Sequence, residues 1–280
     1  MPAGILYIVA TPLGNLGDLS PRAAETLRTV HTVAAEDTRY TLGLLASIDA
    51  HPKLVSYHAH SGPQRIEALI ELLSAGRDVA LVTDAGTPAI SDPGVAVVAA
   101  ARRAGIRVVP IAGPSAVAAA LSASGMAGDR YLFLGFPPRK GASRRRLLER
   151  AAGEPWSIVF FEAPGRLTEL LADLIALCGA ERHAIVAREL TKIHEDVRGG
   201  TLTELRTYYE VHAPLGEVTL VLSGQAADDA GEILVNQDEV LAAIGERLGA
   251  GDSPKDVVRM VSARFGLPRN EAYRLVMERP

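Results

Sequence analysis

Short apolar runs alternate with amphipathic segments along the first 113 residues of the chain. The runs that have the length of strands are 5–11 (ILYIVAT), 32–37 (TVAAED), 53–57 (KLVSY), 78–84 (DVALVTD) and 107–113 (RVVPIAG). A continuous apolar run of this length predicts a strand that is buried on both faces. Helix-like segments separate several of the runs, so the pattern predicts a βαβ array around a mainly parallel sheet.

Capping and turn residues predict where the helices of this array begin and end. Ser20 and Pro21 fit the N-cap and first position of a helix over SPRAAETLRTV. Asp92 and Pro93 form the same kind of pair before VAVVAAARRAG. Glycines close the helix-like segments at their carboxyl ends, where a left-handed residue is common.

A second α/β pattern begins near residue 114, and a helical tail follows it. Its predicted strands lie at 131–136, 156–164, 183–190 and 217–224, with a hairpin-like pair around 185–200. The tail has three short helical segments, and the last two have the spacing of a helix-turn-helix. The predicted domains are 1–113, 114–224 and, after an acidic linker at 225–237, a small helical domain at 238–280.

The composition predicts a soluble globular protein of a reducing compartment. Hydrophobic residues make up 48% and charged residues 22%, which is ordinary for a globular chain. A single cysteine, Cys178, excludes an intramolecular disulfide framework and a multi-cysteine zinc site. No apolar stretch reaches the roughly 18 residues of a membrane span, and the first residues lack the basic segment of a signal peptide. We therefore predict a cytoplasmic protein without a membrane partner.

Four loops at the predicted carboxyl ends of strands are candidates for a ligand site, because ligands of open α/β sheets bind there. They are 11–15, 36–39, 82–94 and 112–116. The chain has no GxxxxGK[ST] segment and no GxGxxG after its first strand, which disfavours a P-loop or Rossmann nucleotide site. Gly86 and Gly94 allow close approach of the backbone to a ligand. For single residues an ordinary cap or turn explains the pattern equally well.

The chain resembles the tetrapyrrole methylase superfamily, whose members use S-adenosylmethionine. The resemblance rests on the segments VATPLGNLGDLS (9–20), AEDTR (35–39), VTDAGTPAISDPG (82–94), GPSA (113–116), FFEAPGR (160–166), ARELTKIHE (187–195) and GEVTLVLSG (216–224). It implies two α/β domains with the cofactor in the cleft between them, and a homodimer. Within the superfamily the resemblance is to the branch that methylates a cytidine ribose 2′-hydroxyl in the decoding region of 16S ribosomal RNA. Ala112 and Gly165 depart from the usual pattern, which has Pro and His there.

The resemblance also implies positions that contact the cofactor. They are Pro12, Ala85, Gly86, Thr87, Ile90, Ser115, Ala116, Phe161 and Leu190. From their place in the 82–94 loop we add Asp84, Ser91 and Asp92 as candidates. Backbone groups of 85–87 are expected to hold the cofactor, whereas Asp92 with Pro93 is also expected to cap the next helix.

A ribose hydroxyl is a poor nucleophile at neutral pH, so a general base or a cation would assist its methylation. The candidates are Lys192, Glu162 and Asp37, for each of which an ordinary ion pair is the alternative. Methyl transfer from an activated cofactor needs no metal, and His58 with His60 offer too few ligands for one. We therefore predict no metal.

Basic residues predict contact with 16S ribosomal RNA or the small ribosomal subunit, although the formal net charge is −4. The candidates are Arg139, Lys140, Arg144, Arg145 and Arg146, together with Lys255 and Arg259 in the tail. A solvated helix face, or a tail that serves packing, is the alternative. Two other functions stay open: a methylase of a small tetrapyrrole, and a non-catalytic RNA-binding assembly protein.

Overall fold

The computed structural model describes residues 2–126, 128–225, 237–249, 251–265 and 269–277. Residues 1–224 form one compact unit and residues 225–280 form another. Most of the predicted acidic linker, residues 226–236, lies outside the described residues. Within the described ranges no helix has both the length and the apolar character to cross a membrane.

The first sheet is parallel throughout. Its strands are Ile5–Val9 (β1), Thr32–Ala35 (β2), Lys53–Ser56 (β3), Val79–Val82 (β4) and Arg107–Ile111 (β5). They lie in the order β3-β2-β4-β1-β5, so β4 and β1 occupy the centre. Because every strand runs the same way, the loops that follow β1, β2, β4 and β5 meet at one edge of the sheet.

Helices cover both faces of this sheet, as its apolar strands require. One face packs against Pro21–Thr29 (α1) and Thr38–Ser47 (α2), and the other against Pro63–Ser74 (α3) and Val95–Arg103 (α4). Ser20 caps α1 as expected, since its side chain accepts a hydrogen bond from the amide of Ala23. The sequence pattern did not predict α2.

The predicted cap of α4 is wrong. The helix begins at Val95, and its N-cap is Gly94, which has φ of +146° and provides no side-chain cap. A methyl group on Gly94 would lie 2.8 Å from a Leu81 methyl, so the close approach of the loop to β4 requires glycine there. The Asp92 side chain is therefore free of the capping role that the sequence predicts.

The second sheet is mixed. Its strands are Tyr131–Gly135 (β6), Ser157–Glu162 (β7), His183–Arg188 (β8), Asp196–Thr201 (β9) and Val218–Leu222 (β10). They lie in the order β6-β7-β10-β8-β9, and only the β6–β7 pair is parallel. The antiparallel β8–β9 pair is the predicted hairpin. This arrangement places the start of β10 beside the end of β7.

Helices also cover the second sheet on two sides. Ala142–Ala152 (α6), Leu167–Cys178 (α7) and Leu202–Val211 (α8) bury leucines against one face. Ala116–Ser124 (α5) packs against the other face, where Leu121 meets Val159 and Val221. The helix α5 begins directly after the last loop of the first sheet, so it joins the two sheets within the unit 1–224.

The second unit contains three helices within its described residues. They are Gln237–Gly249 (α9), Pro254–Phe265 (α10) and Arg269–Met277 (α11). Val240, Ile244, Val257, Val261 and Val276 form its small apolar core. Lys255 and Arg259 are exposed on α10, and Arg259 pairs with Asp256 at 3.0 Å.

Candidate active site

A cavity of about 570 Å³ lies between the loop edge of the first sheet and the second sheet. Its first wall consists of Leu13, Ala85, Gly86, Thr87, Ile90, Ser91, Asp92, Ser115, Ala116 and Val117. Its second wall consists of Phe136, Phe161, Glu162, Ala163, Pro164, Lys192, Gly216, Glu217, Val218 and Thr219. The volume falls within the roughly 300–1,000 Å³ of sites for small molecules and cofactors.

Hydrogen bonds fix the loops of the first wall to one another. Thr11 and Gly86 form an antiparallel bridge, in which each amide donates to the other carbonyl at 2.9 and 3.0 Å. The Thr87 hydroxyl donates to the carbonyl of Pro114 at 3.1 Å. The amide and carbonyl of Gly86 thus hold the loops together, and its predicted contact with the cofactor stays a prediction. Gly86 has φ of +81° and lies beside Leu13, so this part of the cavity surface is formed without a side chain.

Aromatic side chains form the apolar part of the second wall. Phe161 lies edge-on to Phe133 at a centroid distance of 4.9 Å and contacts Phe136 at 5.5 Å. Phe136 is 56% exposed although it is a large apolar residue, because it faces the open cavity. Rings placed in this way offer an apolar surface to a planar ligand group.

Among the described residues, five residues other than glycine have positive φ. Asp49, just after α2, is one of them, and the other four lie in the loops around the cavity. They are Ala89 at +68° and Ser91 at +64° on one side, and Glu189 at +49° and Thr191 at +67° on the other. Such a conformation costs a non-glycine residue of the order of 1–3 kcal/mol, and it is concentrated at functional sites. The strain therefore marks the same place as the cavity.

Lys192 brings a positive charge to the second wall. Its Nζ lies 2.9 Å from Glu189 Oε1 and 3.5 Å from Glu217 Oε2. The hydrogen bond to Glu189, together with the nearby Glu217, raises the pKa of the Lys192 amine, so the amine stays protonated at neutral pH. The stem of Lys192 lies across Gly14, where a Cβ would overlap the lysine Cγ. This packing fixes the amine beside the cavity.

Glu162 is not suited to the role of general base. Its carboxylate is 1% exposed and accepts hydrogen bonds from Arg166 at 3.0 Å and from the amide of Ala163 at 2.8 Å. Arg144 also lies 4.0 Å from it. A carboxylate that is paired in this way holds the loop after β7 in place rather than accepting a proton from a substrate.

Asp37 is also unsuited to that role. It caps α2 and pairs with Arg39 at 2.6 Å. These hydrogen bonds lower the pKa of Asp37 to about 2, so its carboxylate is a very weak base, and it does not line the cavity. Its amide donates to Asp84 at 3.0 Å, which gives Asp84 a part in loop structure behind the wall.

A group of carboxylates lies behind the first wall, at the ends of β2 and β4. The buried hydroxyl of Thr83 donates to Glu36 Oε2 at 2.6 Å, and Asp92 competes for the same hydroxyl. Burial, and the negative charges of Glu36, Asp84 and Glu217, raise the pKa of Asp92 to about 6. This side chain is the member of the group that lines the cavity.

The cavity gathers most of the predicted cofactor residues but not all of them. Pro12, Asp84 and Leu190 do not line it: Leu13 occupies the place expected for Pro12, and Leu190 packs into the core beneath Phe161. Sequence reasoning missed Phe136 and the segment 216–219. The segment belongs to the GEVTLVLSG motif, which carries the family resemblance and predicts a strand but not a contact with the cofactor.

The basic residues of 139–146 do not share one environment. Arg139, Lys140, Arg145 and Arg146 are exposed, and Arg145 pairs with Glu149 at 2.7 Å. Arg144 is 5% exposed, and its guanidinium donates to Asp173 at 2.8 Å and to the carbonyl of Pro138 at 3.1 Å. The prediction that Arg144 binds RNA is therefore wrong, because a phosphate cannot reach a buried group that is already paired.

The sequence of the chain is similar to characterised protein families along its length. Residues 5–206 match the family model described as Tetrapyrrole (Corrin/Porphyrin) Methylases. Ribosomal RNA small subunit methyltransferase I of Synechocystis sp. is 43% identical over 275 residues, which cover 98% of this chain and 98% of that protein. The protein of the same name from Xylella fastidiosa is 46% identical over 272 residues, covering 96% of this chain and 98% of its own.

Solved structures share the two-sheet fold. Uroporphyrin-III-C-methyltransferase from Thermus thermophilus has a TM-score of 0.56 at 22% identity, covering 82% of this chain and 98% of its own. Diphthine synthase has a TM-score of 0.62 at 19% identity, covering 79% and 90%. Identities this low support the fold alone, and they confirm the predicted fold class. The family match and the full-length relatives show that the chain belongs to the tetrapyrrole methylase family, in the group of the ribosomal RNA small subunit methyltransferase I proteins.

Proposed function

We propose that this protein transfers a methyl group from S-adenosylmethionine to the ribose 2′-hydroxyl of a cytidine in 16S ribosomal RNA. The observation that carries the proposal is the likeness over nearly the whole chain to relatives named ribosomal RNA small subunit methyltransferase I. The loops that carry this likeness also line the cavity. The homodimer and the cytoplasmic location stay predictions from the resemblance and the composition.

The residues of the cavity fit the proposed cofactor. Ser115, Ala116 and Val117 on one side, and Phe136 with Phe161 on the other, offer the small and apolar surfaces that an adenosine ring needs. Gly86 leaves the cavity open where a side chain would meet Leu13. The cofactor supplies an activated methyl group on a sulfonium, so the protein has to orient the acceptor and exclude water.

Lys192 is the proposed source of electrostatic stabilisation. A ribose oxygen gains negative charge as it loses its proton, and a fixed ammonium beside it lowers the energy of that state. Glu189 and the contact with Gly14 position the amine, so little rearrangement is required during the reaction. Glu162 and Asp37, which the sequence also suggested, are assigned to the structure of the loops.

The exposed basic residues before and in α6 are the proposed RNA contact. Arg139, Lys140 and Arg146 can each approach a phosphate, because their side chains reach solvent. Lys255 and Arg259 form a second, smaller basic surface on α10. Arg144 is excluded from the proposal because of its buried ion pair.

The test uses the full-length protein, radiolabelled S-adenosylmethionine and three acceptors: small ribosomal subunits that lack the modification, free 16S RNA and a tetrapyrrole precursor. We expect label in the RNA of one ribosomal acceptor, at the 2′-oxygen of a cytidine when the RNA is digested and analysed by mass spectrometry. Label in the tetrapyrrole alone, or in no acceptor, would refute the proposal in favour of the two other functions that the sequence left open.

A matched pair of variants tests the role of Lys192. Lys192→Met is expected to lower the methylation rate by about 10²- to 10³-fold with cofactor affinity nearly unchanged. Lys53→Met is the control, because Lys53 is exposed and lies at the amino end of β3, away from the loop edge. Equal rates for the two variants would refute the assignment.

A further inference from the structure

Asp92 differs from the other carboxylates of the cavity, because it makes no ion pair with a cation among the residues that the structure describes. Resting on the proposed function, we propose that Asp92 is the general base that accepts the proton of the ribose hydroxyl. Nothing in the sequence pattern assigned this role, since the pattern made Asp92 a helix cap and a cofactor contact. Both the position of the residue and the engagement of its competitors support the assignment.

The backbone of the 82–94 loop presents Asp92 to the cavity. Ser91 before it has φ of +64° and Gly94 after it has φ of +146°, so the chain turns sharply on both sides. The helix α4 starts only at Val95 and does not use the Asp92 carboxylate as its cap. The side chain lines the same cavity as Gly86, Ile90 and Lys192. A base has to lie within reach of the proton it removes, and a side chain that lines the cavity can meet an acceptor bound there.

The other two carboxylates of the cavity wall are already paired. Glu162 is buried and pairs with Arg166 at 3.0 Å, and Glu217, whose side chain is 76% exposed, lies 3.5 Å from Lys192. The amine of Lys192 stays protonated, so it cannot accept a proton. Of the carboxylates that line the cavity, Asp92 is therefore the one that can take part in proton transfer without breaking an ion pair.

The charged groups around Asp92 prepare it for this task. Glu36 approaches from the end of β2, Asp84 from the end of β4 and Glu217 from the start of β10, and all three oppose its ionisation. Partial burial acts in the same direction, and the pKa of Asp92 rises to about 6. A general base works best when its pKa lies just below the working pH, because it is then both ionised and basic.

The proposed reaction is a direct displacement at the methyl carbon. The hydroxyl oxygen forms a bond to the methyl carbon while the carbon–sulfur bond breaks, so its electron pair neutralises the sulfonium and leaves a thioether. The hydroxyl proton passes to a carboxylate oxygen of Asp92 and then to water. Lys192, on the opposite wall, stabilises the charge that develops on the oxygen.

The experiment compares wild type, Asp92→Asn, Asp92→Glu and the control Asp49→Asn. Asp49 is an exposed carboxylate at the end of α2 with φ of +53°, so the control makes the same chemical change outside the cavity. Single-turnover methylation of small subunits is measured from pH 5 to 9 at saturating S-adenosylmethionine, and cofactor affinity is measured separately by calorimetry. The wild-type rate is expected to rise tenfold per pH unit below about pH 6 and to level off above it.

Asp92→Asn is expected to lose about 10²- to 10⁴-fold in rate, to lose the rise with pH, and to keep its cofactor affinity within about threefold. Asp92→Glu should retain part of the rate and the pH dependence, and Asp49→Asn should match wild type. An unchanged pH profile in Asp92→Asn, or a loss confined to cofactor affinity, would overturn the inference. If wild type itself methylates no RNA, the proposed function fails instead, and that result is seen without any variant.

Discussion

Replacing Asp92 by Asn should make the protein more stable at alkaline pH, whatever it does to activity. The folded protein ionises this carboxyl less readily than the unfolded chain, because its pKa is raised from 3.8 to about 6. The resulting penalty is absent below about pH 4, develops as the pH rises from 4 to 6, and is fully present above that range. Asn carries no charge and therefore avoids the penalty.

The expected gain in stability of Asp92→Asn is calculated from the rise in the pKa of Asp92. About two pKa units correspond to about 3 kcal/mol at 1.36 kcal/mol per unit. The carboxyl is open to the cavity on one side, and solvent screening reduces this figure to roughly 1–2 kcal/mol. For a chain of this size each kcal/mol moves the melting temperature by about 2–4 °C, so Asp92→Asn should melt about 2–8 °C above wild type at pH 8.

The assay is calorimetric melting of both proteins at pH 4, 6 and 8 without cofactor. The difference in melting temperature should be largest at pH 8 and should disappear near pH 4. Asp49→Asn is again the control and should show no such trend, because Asp49 is exposed. A variant that is less stable than wild type at pH 8, or a gain that does not depend on pH, would refute the reasoning about burial and neighbouring charge.

Three further predictions concern the loops and the basic segment. Glu162→Gln should lower the free energy of unfolding by about 3–5 kcal/mol, because it removes the buried charge that faces Arg144 and Arg166. Urea titration measures this change, and a loss below about 1 kcal/mol would contradict the reasoning. Gly86→Ala should lower the free energy of unfolding by about 1–2 kcal/mol, because Gly86 has φ of +81°. Gly43→Ala should raise it by up to about 1 kcal/mol, because Gly43 lies in α2 with open space around it. Arg146→Gln should reduce the slope of log RNA affinity against log salt concentration by about one, because one exposed phosphate contact is lost. Arg144→Gln should leave this slope unchanged and lower the stability of the protein, because Arg144 is in a buried ion pair. Equal slopes for the two variants would count against this distinction.

The sequence predicted the strands well because they are buried and continuous, and it predicted α1 because Ser20 with Pro21 is a strong local pattern. It missed α2, whose segment contains Gly43 and leaves Leu42 57% exposed, so its apolar periodicity is weak. It misplaced the start of α4, because a preference for Asp-Pro at a helix start is local, whereas the packing of Gly94 against β4 is tertiary.

The sequence predicted the location of the candidate site well, but it predicted the roles of single residues less well. Motif segments identified the loops of the first wall, because strand ends of a parallel sheet converge. The roles depended on contacts far apart in sequence: Arg144 pairs with Asp173 of α7, 29 positions away, and also lies 4.0 Å from Glu162. The raised pKa of Asp92 likewise comes from burial and from the charges of Glu36 and other carboxylates; Glu36 is 56 positions away in the chain. No local pattern encodes such contacts.

The bridge between Thr11 and Gly86 has a consequence for how a ligand enters. It joins the loops after β1 and β4, and the Thr87 hydrogen bond adds the loop after β5, so hydrogen bonds hold the three loops of the first wall to one another. We therefore expect any motion that admits a ligand to occur in the second wall, where Phe136 and the 189–192 loop lie. Substitution of Phe136 on that wall is therefore expected to change how fast a ligand enters and leaves the cavity, while Lys192 keeps its place.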